Sequence, residues 1–173
     1  ALPYFMLPLS KIMIALNQNL VKTETSKAFT PLERQVLGML HRLVYAKDDD
    51  FYTSRMHDAE YALGAMCSGG TVANITALWA ARNLAFPPEG KFKGVSHDGL
   101  FRALKYYGYD GAAVVVSKRG HYSFRKTADI LGIGRDYLIA VDTDDDNRID
   151  LDALRETCTR LKKDNICIIS IVG

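Results

Sequence analysis

At 173 residues the chain is long enough for a domain with a real core, and a composition of 48% hydrophobic, 24% charged and 10% aromatic residues is that of an ordinary globular protein. The net charge is only +2 and the basic residues are scattered among acidic ones, which excludes the electrostatic footprint of a nucleic-acid binder. No apolar run reaches the length of a membrane span, and Cys67, Cys158 and Cys167 have no C-x-x-C spacing, so the expectation is a cytoplasmic protein with no membrane partner and no metal site.

The opening residues 1–9 are apolar but interrupted by Pro3 and Pro8, and they lack the basic leader and small-residue cleavage site of a signal peptide. Ser10 can cap a helix running from Lys11 to about Leu20. A stronger start follows, because Thr30-Pro31-Leu32-Glu33 reads as a capping box with proline at the first helical position. Leu32, Val36, Leu37, Leu40, Leu43 and Val44 then recur at helical spacing and predict one buried face. The polar Lys47 to Asp50 is expected to end the helix as a loop. Residues 1–60 are therefore expected to form a helical segment.

From Tyr61 the pattern becomes one of alternating strands and helices. Residues 61–66 read as a short buried strand, followed by the turn Cys67-Ser68-Gly69-Gly70. A helix over 71–86 is stopped by Pro87-Pro88, and a second helix spans 97–107. A strand over 112–117 leads to a helix over 122–131 closed by Gly132, then to a strand over 137–141. Asp150 caps a helix over 151–163, and 166–172 is an almost wholly apolar strand. Continuous apolar strands alternating with helices predict an α/β fold with a mostly parallel sheet flanked by helices, occupying residues 61–173. A buried, central-type strand at the end of the chain reads as truncation.

Ser68-Gly69-Gly70-Thr71 sits where chemistry is expected. Two glycines let a ligand approach the backbone closely, and the first amides of the following helix have no internal acceptors. With the helix dipole and the Thr71 hydroxyl, they make a cradle suited to phosphate. The same residues also suit a turn that only changes the chain direction, and the turn alone does not separate the two. A P-loop would need lysine here, a nucleophile elbow would need glycine where Met66 stands, and a dinucleotide fingerprint would need glycine where Thr71 and Asn74 stand.

The longer string separates them. Cys67-Ser-Gly-Gly-Thr-Val-Ala-Asn-Ile-Thr-Ala-Leu-Trp-Ala-Ala-Arg82 resembles the S-G-G-T-x-A-N-x-x-A-L-x-x-A-R stretch of the group II pyridoxal-phosphate (PLP) amino-acid decarboxylases. A second block, His121-Tyr-Ser-Phe-Arg-Lys-Thr-Ala-Asp-Ile-Leu-Gly-Ile-Gly134, is similar to the family's H-x-S-x-x-K-A-x-x-x-L-G-I-G. Asn17-Gln18-Asn19 with the Thr30 to Glu33 segment resembles the piece that enters the active-site entrance in the family's dimers. Val141-Asp142-Thr143 and Asp150-Leu-Asp-Ala-Leu154 follow in the family's order, so the resemblance covers nearly the whole chain.

The resemblance implies a PLP-dependent transferase-like fold of type I, incomplete in this chain, in a parent enzyme that is a homodimer. It assigns the cofactor phosphate to Gly70 and Thr71, with Gly69 allowing close approach, and it assigns His121 to stacking on the cofactor ring and positioning near the reacting carbon. The position of His121 between a strand end and a helix start, at the carboxyl edge of the sheet, fits that role. His41, His57 and His97 have no such setting and are expected to be structural or surface residues. The implied reaction is decarboxylation of an amino acid, glutamate or aspartate, to an amine and carbon dioxide. Another type I PLP enzyme, either a carbon–carbon lyase or an aminotransferase, and a non-catalytic assembly module stay open. The lysine that binds PLP and the aspartate that pairs with its ring nitrogen are expected beyond Gly173, so the chain alone is expected to be inactive. The acidic run from Asp142 to Ala153 has carboxylates spaced like a calcium loop, but Asn147 and Ala153 stand where that loop needs glycine and glutamate; a solvated turn ending in a helix cap is expected instead.

Overall fold

The computed structural model describes residues 3–17, 19–20 and 22–173, so Ala1 and Leu2 of the apolar opening and Gln18 of the Asn17–Asn19 segment lie outside the described residues. The chain divides into two units, Ala1–Met66 and Cys67–Gly173. Among the described residues no helix is long and apolar enough to cross a membrane.

The first unit is helical: α1 (Met6–Leu16), α2 (Thr23–Ser26), α3 (Phe29–Tyr45) and α4 (Asp49–Arg55). Several expectations fail here. Ser10 caps nothing; it lies inside α1 and its hydroxyl donates back to the Leu7 carbonyl at 2.8 Å. The capping box does not form either, because α3 starts at Phe29. Thr30 instead donates to the Leu20 carbonyl at 2.9 Å and pairs with the buried Ser26 hydroxyl, so its oxygen joins two chain segments rather than closing a helix end.

The apolar face of α3 is also not covered. Leu32, Val36 and Leu40 are about half exposed and Leu43 is 82% exposed, so spacing located the stripe without locating a surface to cover it. The polar run after α3 is not only a loop: the Asp48 side chain accepts from the Phe51 amide at 2.8 Å and starts α4. Residues 61–66 form no strand. They carry no ladder, and Tyr61 and Met66 are about half exposed, because an apolar run becomes a strand only where a neighbouring strand pairs with it.

The second unit follows the alternating pattern. Its elements are α5 (Gly70–Ala85), α6 (Val95–Tyr107), β1 (Gly111–Ser117), α7 (Ser123–Ile130), β2 (Leu138–Val141), α8 (Leu151–Lys163) and β3 (Ile166–Val172). The three strands form a parallel sheet in the order β2-β1-β3, with Val114 opposite Leu138 on one side and Gly111 opposite Ile166 on the other. The fold is therefore α/β, with a small parallel sheet flanked by helices.

Every residue of the central strand β1 is buried, and alternation sends its side chains to two cores. Ala112, Val114 and Val116 join Leu78, Phe86, Ala103, Phe124 and Ala128 under α5, α6 and α7. Ala113 and Val115 join Val141 and Leu161 under α8. Helix α8 begins where its cap predicts: Asp150 Oδ1 accepts from the Asp152 and Ala153 amides at 2.9 and 3.0 Å. Gly132 follows α7 at φ +72°, a left-handed conformation that favours glycine.

Candidate functional site

The glycine turn enters α5 in an open geometry. Gly69 is the N-cap in an extended conformation, Gly70 is the first helical residue, and Ala73 donates to the Gly69 carbonyl at 3.0 Å. Helix geometry leaves the earlier amides, those of Gly70, Thr71 and Val72, without intrahelical acceptors. No acidic side chain stands in this first turn, so the positive end of the helix is not neutralised by the helix itself. Ser68, Gly69 and Gly70 are exposed, and Thr71 is half-buried.

What a side chain would meet at each glycine distinguishes the two readings of the turn. At Gly69 and Gly70 a built Cβ meets no atom within 4 Å, and neither residue has a left-handed φ. The fold would therefore accept a side chain at both. Gly120 is the opposite case: its Cβ would run into Val116 and come within 2.9 Å of the Ser117 carbonyl. The space that the missing side chains leave at Gly69 and Gly70 lies beside helix-end amides, where an anion is stabilised. These donors and this space fit a phosphate group.

His121 lies in the loop between the carboxyl end of β1 and the start of α7. Its ring packs against Tyr122, centroids 4.2 Å apart and tilted 37°. Ser123 Oγ lies 2.9 Å from His121 Nδ1, and the Ser123 amide donates to the same nitrogen at 3.3 Å. Asn74, four residues into α5 from Gly70, donates from Nδ2 to Ser123 Oγ at 2.8 Å. The helix that opens on the glycine turn thus also holds the loop that carries His121.

Sequence reasoning named Gly69, Gly70, Thr71 and His121 but missed Asn74 and Ser123. Both stood inside the quoted motifs, and their polar character on otherwise core-facing helix turns was the available signal. Of the other histidines, His41 belongs to an aromatic cluster with Tyr45, Phe51 and Tyr52 and bonds the Tyr52 hydroxyl at 3.0 Å. The acidic run after β2 makes a turn: Thr143 bridges Ile149, Asp144 accepts from the Arg148 amide at 2.8 Å, and Asp142 pairs with Lys118 at 2.6 Å.

The second unit is thus a parallel α/β unit with a glycine turn at the start of one helix and a histidine just past the end of its central strand. The chain belongs to the pyridoxal-dependent decarboxylase family, whose conserved-domain model matches residues 8–173. It is 62% identical over 173 residues to aspartate 1-decarboxylase of Aliivibrio fischeri, covering all of this chain and 32% of that protein. It is 28% identical over 162 residues to L-2,4-diaminobutyrate decarboxylase of Rhizobium meliloti, covering 94% of this chain and 26% of that one. Among solved structures, the glutamate decarboxylase domain of a diaminobutyrate-pyruvate transaminase and L-2,4-diaminobutyrate decarboxylase from Vibrio parahaemolyticus superposes with a TM-score of 0.74 at 26% identity, over 96% of this chain and 32% of that chain. Mouse CSAD shares the fold, with a TM-score of 0.76 at 23% identity, over 99% of this chain and 31% of that one. The chain spans between about a quarter and a third of the length of these relatives.

Proposed function

We propose that the protein to which this chain belongs is a PLP-dependent decarboxylase of an acidic amino acid, with aspartate as the first substrate to test. The observation that carries the reading is the open glycine turn, where the fold has room for side chains and has none. The 62% identity to an aspartate 1-decarboxylase supports aspartate over glutamate.

In this reading the Gly70 and Thr71 amides and the Thr71 hydroxyl donate to the cofactor phosphate, and Gly69 keeps the approach clear. Charge-assisted bonds from fixed amides are strong and need no reorganisation. His121 lies against the cofactor ring and orients it. PLP, when bound, supplies the sink for the electrons left behind as carbon dioxide departs. None of this chain's lysines stands in a motif resembling the family's cofactor lysine, so in this reading that lysine is supplied by another part of the protein. The enzyme is read as a cytoplasmic homodimer, and the exposed apolar faces of α1 and α3 support a partner subunit.

The test is product analysis of the full-length protein with PLP and either aspartate or glutamate. Release of carbon dioxide with the matching amine is expected, faster from aspartate. An aldehyde product would make it a carbon–carbon lyase, a keto acid an aminotransferase, and failure to take up PLP would leave an assembly role.

A further inference from the structure

Two groups of Ser123 face His121 Nδ1. A backbone N–H can only donate, so the Ser123 amide, 3.3 Å away, favours that nitrogen as an acceptor, and the closer hydroxyl, at 2.9 Å, adds to that preference. The Ser123 hydroxyl accepts from the Asn74 amide group and has one proton to give, and its remaining neighbour is the same Nδ1. The neutral imidazole then carries its proton on Nε2, across the ring. Ser123 is fully buried, so a hydroxyl there is costly unless each of its hydrogen-bonding roles is filled.

We propose that Asn74 and Ser123 are positioning residues: they hold His121 as its Nε2–H tautomer and tie its ring to the helix turn that presents the Gly70 and Thr71 amides. The inference deepens the cofactor reading above and rests on it for its functional meaning. Asn74 stands one helical turn after Gly70, so the phosphate cradle and the ring-bearing loop share one rigid support. With Nδ1 saturated by donors from α7, Nε2–H is a donor of fixed direction, suited to an acceptor such as a substrate carboxylate.

The tautomer can be read directly from long-range nitrogen–proton spectra of the cofactor-free full-length protein with labelled histidine, at a pH where the ring is neutral. The His121 signals are assigned by their loss in His121→Gln. The wild type should show the Nε2–H form dominant. Asn74→Asp keeps the side-chain shape but reverses the polarity: a carboxylate accepts the Ser123 proton, which then no longer reaches Nδ1. The Nδ1–H population should rise severalfold in Asn74→Asp and in Ser123→Ala, and Ser123→Thr, which keeps the hydroxyl, should return it to the wild-type level. A dominant Nδ1–H form in the wild type, or the same tautomer ratio in all four proteins, would overturn the proposal. Because the spectra need no PLP, failure to bind cofactor would sink the functional reading and leave the tautomer result standing.

Discussion

Arg82 Nη1 donates to the Leu131 carbonyl at 2.9 Å and so closes the carboxyl end of α7 from a neighbouring helix. Eight residues earlier on the same helix, Asn74 holds Ser123 at the other end of α7. Helix α5 therefore grips α7 at both ends. The Arg82 guanidinium is half-buried, and desolvation pushes its pKa down from the usual arginine value. Its Nε is buried with no hydrogen-bond partner, so this grip carries a desolvation penalty.

Replacing Arg82 with methionine keeps much of the aliphatic bulk but leaves the Leu131 carbonyl without this donor. The expected loss is about 1–3 kcal/mol, the cost of stranding a partly buried acceptor, offset in part by removing the orphaned Nε. Urea unfolding should show a lower midpoint at unchanged slope. An unchanged midpoint would show that the bond contributes nothing net.

Thr71→Ala and Gly70→Val separate binding from folding. Nothing lies within 4 Å of a Cβ at position 70, so Gly70→Val should unfold at nearly the wild-type temperature while losing most of its PLP. Thr71→Ala should weaken PLP retention by roughly 1–3 kcal/mol, since one charge-assisted bond is lost and the amides remain. Both are measured as PLP content after dialysis of the full-length protein, beside a melting curve. Full cofactor in both variants would return the turn to a purely structural role.

His121→Ala should behave in the reverse manner. Phosphate contacts persist, so PLP content should stay near that of the wild type, while kcat falls sharply as ring orientation is lost. Near-normal turnover would leave His121 as a packed loop residue.

Acid titration isolates another local contact. The Asp98 carboxylate accepts from the Lys93 amide at 2.7 Å and from Arg102 at 3.1 Å. The Lys93 bond chiefly lowers its pKa, burial opposes that shift, and Arg102 adds to it. A carboxylate with a lowered folded-state pKa contributes stability that is present above its unfolded value, about 4, and is lost as pH falls through the folded value. The stability difference between wild type and Asp98→Asn should therefore be constant near neutral pH and shrink below about pH 4. Denaturation midpoints measured across that range check it, and a difference independent of pH would refute the linkage.

Legibility in the sequence tracked how much of the necessary context was local. The ends of α8 and β3 were readable because Asp150 supplies its own cap and residues 166–172 are apolar except for Ser170. Residues 61–66 looked much the same as a short apolar run, yet strand formation depends on a neighbour that the run does not encode. Thr30 failed for a related reason: a hydroxyl can cap its own helix or bond a distant carbonyl, and Leu20 is ten residues away. In the candidate site, the glycines and His121 were legible as chemistry. Asn74 and Ser123 were not, since their importance lies in a contact between positions 49 residues apart.

The loop bearing His121 has little slack. At one end the Lys118 amide donates to the Val141 carbonyl at 2.8 Å and the Gly120 amide to the Ser117 carbonyl at 2.7 Å. At the other, Ser123 is anchored by Asn74. Surface loops normally absorb added residues at small cost, but five residues stretched between two fixed posts leave His121 to take up any change in length. An inserted residue here would cost the domain little in folding and would carry the imidazole off its Ser123 contacts. The spacing between the end of β1 and His121 is in that sense a ruler, set by the sheet on one side and by α5 on the other.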